Sequence, residues 1–362
     1  MSARIFNFSA GPCMLPLPAL EQAQKDFVNY QGAGMSIIEM SHRGKHYDAV
    51  HQAALAAVRE VLSVPEDYDV LLLQGGATMQ FAMIPMNFIK AGTTAEYVHT
   101  GEWAKKAIGD GKKVGATRIT WSGESEGFKR MPSPDEIKAG SDAAYVHLCG
   151  NETIGGIEYQ DFPQLGDVPV VVDMSSHIGS RDIPWDRIDM VYAGAQKNMG
   201  PAGLGVVIAK KSFIASANAD LPAYLSYQRH AAADSLYNTP PVFAIYMMKL
   251  TLDWVRENGG IDGMKALAAA RSQAVYAAID NSGGWYNCPV DRASRSKMNV
   301  VWRLPSEDLE KKFIAEATAA GFNGLKGHRS VGGCRASMYN AMPVEGAEKL
   351  AQFMADFQRA NA

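Results

Sequence analysis

Two all-apolar runs that each deliver one charged residue into a turn of small residues constrain this chain more than any other feature. Val168 to Ser176 reads VPVVVDMSS, and Met190 to Gly205 reads MVYAGAQKNMGPAGLG. A strand without polar alternation has to be covered on both faces, which is the situation of a parallel sheet lying between two layers of helices. Open sheets of this kind bind ligands outside the carboxyl ends of their strands. Asp173 and Lys197 are therefore expected at one edge of one sheet, facing one small molecule.

The remainder of the chain extends the pattern. Tyr68 to Leu73 predicts a strand that ends in QGGATMQF, followed by a helical stretch to Ile89. Further strands are expected near Glu96 to His99, Thr117 to Trp121 and Ala144 to Leu148, and at LGVVIAK near Leu204. Helical spacing marks Ala19 to Tyr30 and, more strongly, Tyr47 to Leu62. Such alternation predicts a three-layer α/β/α unit with a mostly parallel sheet. After a long helix at Val242 to Glu257, the NGG that follows supplies a stop and a boundary. A helix at Ile261 to Ile279, a strand in MNVVWRL near Met298, a helix at Glu307 to Ala320, a strand in CRASMYN and a last helix at Pro343 to Arg359 then make a smaller α+β unit. The expected organisation is an N-terminal arm over residues 1–18, lying near the active site and the small domain, a large cofactor-binding domain over 19–257, and a small C-terminal domain over 258–362.

Composition narrows the function classes. The 362 residues are 47% hydrophobic and 20% charged, with a formal net charge of -3, so no general basic field exists to attract nucleic acid or an anionic membrane. The four cysteines, Cys13, Cys149, Cys288 and Cys334, are widely spaced and form no C-x-x-C pair, which fits a reducing cytoplasm better than a disulfide framework or a zinc site. His42, His46 and His51 permit a metal site by spacing, but no HExxH-type carboxylate accompanies them, and no metal is expected.

Lys197 and Asp173 carry the chemical signal. A lysine that condenses with an aldehyde has to be held at the end of a rigid strand and partly desolvated, so that its amine loses a proton near neutral pH. Pyridoxal phosphate needs this pair of residues: the lysine holds its aldehyde, and a carboxylate keeps its ring nitrogen protonated as an electron sink. The plain alternatives are a surface lysine and an aspartate that caps a turn with Ser175 and Ser176. Gly75 and Gly76, between a strand and a helix, can form a phosphate cup from backbone N–H groups and the helix dipole, although a tight turn reads the same way. The stretch lacks both GxxxxGK[ST] and GxGxxG, which argues against an NTPase and a dinucleotide enzyme. Cationic residues gather in SHRGKH around His42 and Arg43, and in KGHRSVGGCR around His328, Arg329 and Arg335. Arginine forks suit carboxylates and phosphates, while solvated loop charge is the ordinary reading of any one of them.

Nine segments together make the chain recognisable: FNFSAGP at Phe6, MSHRGK at Met40, GGATMQF at Gly75, TGEWA at Thr100, NETIGG at Asn151, VDMSS at Val172, YAGAQKNMGPAG at Tyr192, YNTPP at Tyr237 and GHRSVGGCRASMYNAMP at Gly327. From end to end it resembles the phosphoserine aminotransferases, a branch of the class V aminotransferases with the fold-type I architecture of pyridoxal-phosphate enzymes. The resemblance implies that Lys197 forms the imine with the cofactor and shuttles the proton, with Asp173 on the pyridine nitrogen. It implies that Trp103 stacks on the ring, that Thr153 bonds the phenolic oxygen, and that Gly76, Ala77, Thr78 and Gln196 hold the phosphate. Asn238 and Thr239 would reach that phosphate from the partner subunit of a homodimer. Ser9, His42, Arg43, His328, Arg329 and Arg335 match substrate anion-binding positions, with Arg335 on the α-carboxylate. One departure is Thr78, where some relatives carry arginine in GGGRGQF, so the cup here depends more on N–H groups, dipole and hydroxyl.

The implied reaction is a ping-pong transamination from L-glutamate to 3-phosphohydroxypyruvate, giving O-phosphoserine for serine synthesis and 2-oxoglutarate. The phosphorylated four-carbon analogue of pyridoxine synthesis, 3-hydroxy-2-oxo-4-phosphonooxybutanoate, is an implied second substrate. Both substrates of the cycle carry an α-carboxylate and a second anion a few bonds away, so one cationic pocket can serve both halves. A cysteine-desulfurase-like lyase of the same fold would need a nucleophilic cysteine on a mobile loop, whereas Cys334 falls in an expected strand. A non-catalytic anion-binding protein would need a broken Lys/Asp pair, and both residues are present.

Overall fold

The computed structural model describes residues 4–362, so the first three residues of the expected arm lie outside the described residues. In chain order the strands are β1 (Phe6–Asn7), β2 (Tyr68–Gln74), β3 (Thr94–His99), β4 (Thr117–Ser122), β5 (Ala143–Cys149), β6 (Asn151–Glu152), β7 (Ile157–Glu158), β8 (Val170–Asp173), β9 (Met190–Gly194), β10 (Leu204–Lys210), β11 (Asn299–Trp302), β12 (Phe322–Asn323) and β13 (Cys334–Ser337). The helices are α1 (Leu17–Asp26), α2 (Lys45–Val61), α3 (Gly76–Phe88), α4 (Glu102–Val114), α5 (Lys211–Ala215), α6 (Tyr227–Ala232), α7 (Val242–Glu257), α8 (Gly260–Asp280), α9 (Glu307–Ala319) and α10 (Val344–Asn361).

A seven-stranded sheet in the order β2-β10-β9-β8-β5-β3-β4 organises the molecule. Apart from the polar, largely exposed edge strand β4, its strands are apolar on both faces because both faces are covered. Val70, Leu72, Val146, Val172, Val191 and Val206 pack under α2 and α7, while Leu71, Leu73, Tyr145, Val171, Tyr192 and Val207 pack under α3 and α4. Neighbours pair in parallel except at β10, which runs antiparallel to both β2 and β9. The cause is the short return between Gly194 and Leu204, over residues 195–203, which is too few for the crossover that a parallel partner requires. The carboxyl ends of β2, β3, β5, β8 and β9 consequently meet the start of β10 along one edge.

Past α7 the chain builds a separate apolar cluster from α8, α9, α10 and the two-stranded β11-β13 pair, including Val275, Trp302, Phe313 and Phe357. Phe6 and Phe8 of the N-terminal arm join it, β1 pairing in parallel with β12. The turn at Asn258–Gly259 separates α7 from α8, as NGG suggests.

Two local expectations change. The helix expected over Ala19 to Tyr30 spans Leu17–Asp26, since Asn29 is extended and Tyr30 turns inward, edge-on to Tyr246 with ring centroids 5.6 Å apart. A helix not delineated from sequence, α4, lies between β3 and β4. Its pattern is blurred by Gly109 and Gly111, yet Gly111 is there for packing: a Cβ at that position would overlap the Tyr97 hydroxyl beneath it. Among the described residues, no helix is long and apolar enough to cross a membrane.

Candidate active site

At the carboxyl edge of the sheet lies a cavity of about 280 Å³, lined by residues at or just beyond the ends of β2, β3, β5, β8 and β9 together with Ala10, Gly11, His328 and Arg335. Lys197 reaches it from the turn after β9, a strand buried along its whole length. The turn is tied down by backbone bonds from Ala195 N to Leu204 O (2.9 Å) and from Gly200 N to Ala195 O (2.8 Å). The lysine is only 8% exposed, and its Nζ donates to Thr153 Oγ1 at 2.7 Å. Burial pushes its ammonium down from the ordinary lysine value, with the Asp173 carboxylate the largest opposing influence. The result is an amine that sheds its proton more readily than a surface lysine.

Asp173 ends β8 and lines the same cavity. Its Oδ1 accepts the backbone N–H of Ser175 at 2.9 Å and the Ser175 hydroxyl at 2.6 Å. Both local bonds fall on one oxygen, which leaves Oδ2 for a donor in the cavity. Burial raises the carboxyl above its usual range, opposed by Ser175 and then by Lys197, so a cationic ring N–H beside it would restore the ionised form. The turn-cap reading of Asp173 is thus also present, made by the oxygen that the cavity does not use.

The β2-α3 connection supplies the anion cup. Gly75 occupies the N-cap of α3 in a left-handed conformation, and the first-turn N–H groups of Gly76, Ala77 and Thr78 have no helical acceptors. Ala77 and Thr78 line the cavity, as does Gln196, whose buried Oε1 has no hydrogen-bond partner. Across the cavity, α4 presents Trp103 at its N-terminal turn, with the ring centroid 5.4 Å from Lys197 Nζ. The indole Nε1 of Trp103 is buried without a partner.

Of the substrate-side cations, Arg335 and His328 line the cavity. Arg335 sits on β13 and donates to the Thr153 carbonyl at 3.4 Å, while its buried Nε has no acceptor. Burial lowers both side chains from their usual values. Ser9, His42, Arg43, Arg329, Asn238 and Thr239 are not among the lining residues of this cavity. Arg43 and Arg329 are exposed, and Asn238 Nδ2 donates at 2.9 Å to Oε1 of Gln74, the last residue of β2. His51, one of the three spaced histidines, is buried with Nε2 2.7 Å from the Asp234 carbonyl. Among the described residues, no group of three or more His, Cys, Asp or Glu side chains could hold a metal ion. Cys334 is buried and its thiol is pushed up by that burial, the opposite of an activated nucleophile.

Sequence reasoning passed over two residues here. Lys106 lines the mouth of the cavity with its Nζ 4.1 Å from the Trp103 ring centroid, and its spacing of three from Trp103 on a helix was the available signal. Glu152 is buried next to Thr153, and its carboxylate accepts the N–H groups of Trp103 and Ala104. No local pattern announces that contact, because its partners lie about fifty residues away.

The donor set fits pyridoxal phosphate on structural grounds. A buried amine, a carboxylate oxygen without a local bond, unpaired N–H groups at a helix start and an indole converge on one cavity of suitable size.

The profile of the family "Aminotransferase class-V" matches residues 5–350. A phosphoserine aminotransferase of Niallia circulans is 50% identical over 359 residues, 99% of either chain, and one of Bacillus subtilis (strain 168) is 48% identical over 360 residues, again 99% of each. Among solved structures, a phosphoserine aminotransferase from Bacillus circulans subsp. alkalophilus superposes with a TM-score of 0.98 at 50% identity, covering 99% of both chains. A pyridoxal-phosphate-bound phosphoserine aminotransferase from Trichomonas vaginalis gives 0.92 at 38% identity, covering 97% of this chain and all of that one.

Proposed function

Since the chain belongs to the class V aminotransferases, with the fold-type I architecture and a pyridoxal phosphate cofactor, we propose that it acts as a phosphoserine aminotransferase that moves the amino group of L-glutamate to 3-phosphohydroxypyruvate, giving O-phospho-L-serine and 2-oxoglutarate. The observation that carries this reading is the convergence of the Lys197 amine, the Asp173 carboxylate and the buried Arg335 guanidinium on one cavity. Bound pyridoxal phosphate supplies an aldehyde that exchanges amines and a ring that takes up the electron pair left when a Cα–H bond breaks.

The residues of the chain then divide the work. Thr153 holds the Lys197 amine at 2.7 Å, which sets where it can accept a proton from the substrate Cα and return it. Asp173 keeps a proton on the ring nitrogen through Oδ2. The N–H groups of Gly76, Ala77 and Thr78 take the phosphate, with Gln196 beside them, and Trp103 covers the ring face. Arg335 pairs with the α-carboxylate and His328 with the distal anion. The same two-anion pattern extends the proposal to 3-hydroxy-2-oxo-4-phosphonooxybutanoate, the substrate that would tie the enzyme to pyridoxine as well as serine synthesis.

The remaining cations are proposed to act in a homodimer. Leu17, Phe27, Val28, Met35, Ile38 and Tyr237 are large apolar side chains left exposed. Phe27 packs edge-on against Phe243, which with Ala33 and Leu236 borders the buried cluster of Tyr30, Ile37 and Met40, and we propose that these exposed side chains form one patch around it. Met35 and Ile38 lie on the segment that leads to His42 and Arg43, and Tyr237 adjoins Asn238 and Thr239. Burying this patch against a second copy would carry those polar residues to the partner's cavity. We further propose a division at Asn258 between a cofactor-binding domain over 19–257 and a small domain over 258–362, with the arm before residue 19 bridging toward the latter. Four free cysteines fit residence in the cytoplasm.

The test is optical. Adding L-glutamate to the purified holoenzyme should bleach its yellow colour, and 3-phosphohydroxypyruvate should restore it. A colour that persists through the first addition overturns the transaminase reading. Restoration by other 2-oxo acids but not by the phosphorylated ones overturns the substrate assignment.

A further inference from the structure

We propose that Glu152 is a positioning residue, whose carboxylate fixes the first turn of α4 and thereby sets where the Trp103 indole stands relative to Lys197. The inference rests on the reading above in one respect, that Trp103 covers the cofactor ring.

Glu152 is 1% exposed on β6. Its Oε2 accepts the N–H of Trp103 at 3.1 Å, and Oε1 accepts the N–H of Ala104 at 2.9 Å and the Thr100 hydroxyl at 3.4 Å. Among the described residues, no lysine or arginine forms a salt bridge with it, so this buried carboxyl is held by two backbone donors, a hydroxyl and the positive end of the helix. An ordinary helix start would use a Ser, Thr or Asp at its own N-cap. Here the N-cap is Gly101, which has no capping side chain, and a Cβ there would lie 2.8 Å from Glu152 Cδ. The glycine clears space for a cap that comes from a distant part of the chain.

That distant part is the link to the chemistry. The next residue, Thr153, receives the hydrogen bond from Lys197 Nζ at 2.7 Å, and Lys197 Nζ stands 5.4 Å from the Trp103 centroid. One dipeptide therefore holds the indole through its first side chain and the amine through its second. Neither α4 nor the turn after β9 has to find the other directly. A local cap would start the helix equally well but would leave the spacing between ring and amine to the packing of two separate elements.

The experiment compares Glu152→Ala, Glu152→Gln and Gly101→Ala with the parent enzyme by amide hydrogen exchange in apo- and holoprotein, and by the circular dichroism of the bound cofactor. Glu152→Ala should speed exchange at Trp103 and Ala104 by about 10-fold, as expected for loss of a helix cap, and should reduce the cofactor dichroism. Glu152→Gln keeps one acceptor and should fall between. Gly101→Ala displaces the carboxylate without removing it and should move both readouts the same way, so it also serves if the alanine variant does not fold. Unchanged exchange at the two amides, or an unchanged cofactor band once they are freed, overturns the proposal. Failure of glutamate to bleach the parent enzyme would sink the transaminase reading instead, leaving the apoprotein exchange data to decide this one.

Discussion

Lys197 shows how a sheet turns an ordinary side chain into a reagent. Burial disfavours its charged form, and the nearby Asp173 restores part of the difference. The neutral amine is the nucleophile, so uptake of pyridoxal phosphate by the apoprotein should accelerate with rising pH through a midpoint below 10.5, the ordinary lysine value. Stopped-flow absorbance across that range checks the direction, and a midpoint at or above 10.5 contradicts it. Lys197→Ala should remove a proton-transfer group and lower single-turnover bleaching by glutamate at least about 10²-fold to 10⁴-fold. Its thermal midpoint should stay close to that of the parent, because the substitution loses one hydrogen bond to Thr153 but also removes the cost of burying the amine. Lys106 acts at longer range. With its ammonium above Trp103 at the cavity mouth, Lys106→Gln should raise KM for the phosphorylated 2-oxo acid by about 5-fold, equivalent to roughly 1 kcal/mol, with kcat little altered. The effect should shrink in high salt.

At the scale of elements, the connection between β6 and α4 carries a titratable group that makes stability pH-dependent. Burial pushes the Glu152 carboxyl up to about 7 from an unfolded value near 4.5, against the N–H groups of Ala104 and Trp103 that favour its ionised form. A folded value above the unfolded one adds stability that is fully present below about 4.5 and is lost as pH rises through about 7. Urea unfolding of the apoprotein should therefore report a loss from this residue on the order of 3 kcal/mol between those limits. Glu152→Gln should flatten that part of the profile. Asp173, also raised by burial, contributes in the same direction and stays in place as the internal comparison. An unchanged slope in the Gln variant would assign the pH dependence elsewhere.

For the whole molecule, the division of cations is the main consequence. One chain brings Lys197, Asp173, Lys106, His328 and Arg335 to its cavity and leaves His42, Arg43, Asn238 and Thr239 outside the lining. If a second copy supplies the latter, mixing Lys197→Ala with Arg43→Ala subunits should recover activity that neither variant has alone, because half of the sites in a mixed dimer are intact. Sedimentation should find a dimer, and charged replacements at Met35 and Ile38 should weaken it. No recovery on mixing, with dimers demonstrably exchanged, would mean that Arg43 serves the cavity of its own subunit, and an Arg43→Ala enzyme that is active by itself would place the residue outside the site.

Much of this was legible in one dimension. Continuous apolar runs such as VPVVVD and MVYAG announce buried strands without a template, since only a sheet covered on both faces tolerates them, and the residue at the end of each run is then assigned to the ligand edge. Nine distinct motifs spread over the whole length supplied the family and cofactor. What no local pattern contains is a distance between residues far apart in sequence. The antiparallel β10, the shortened α1, the Glu152 cap on Trp103 and the absence of Arg43 from its own chain's cavity were decided by tertiary packing. Periodicity records which face of an element is buried, while the partner that buries it is selected only when all elements compete for the same space.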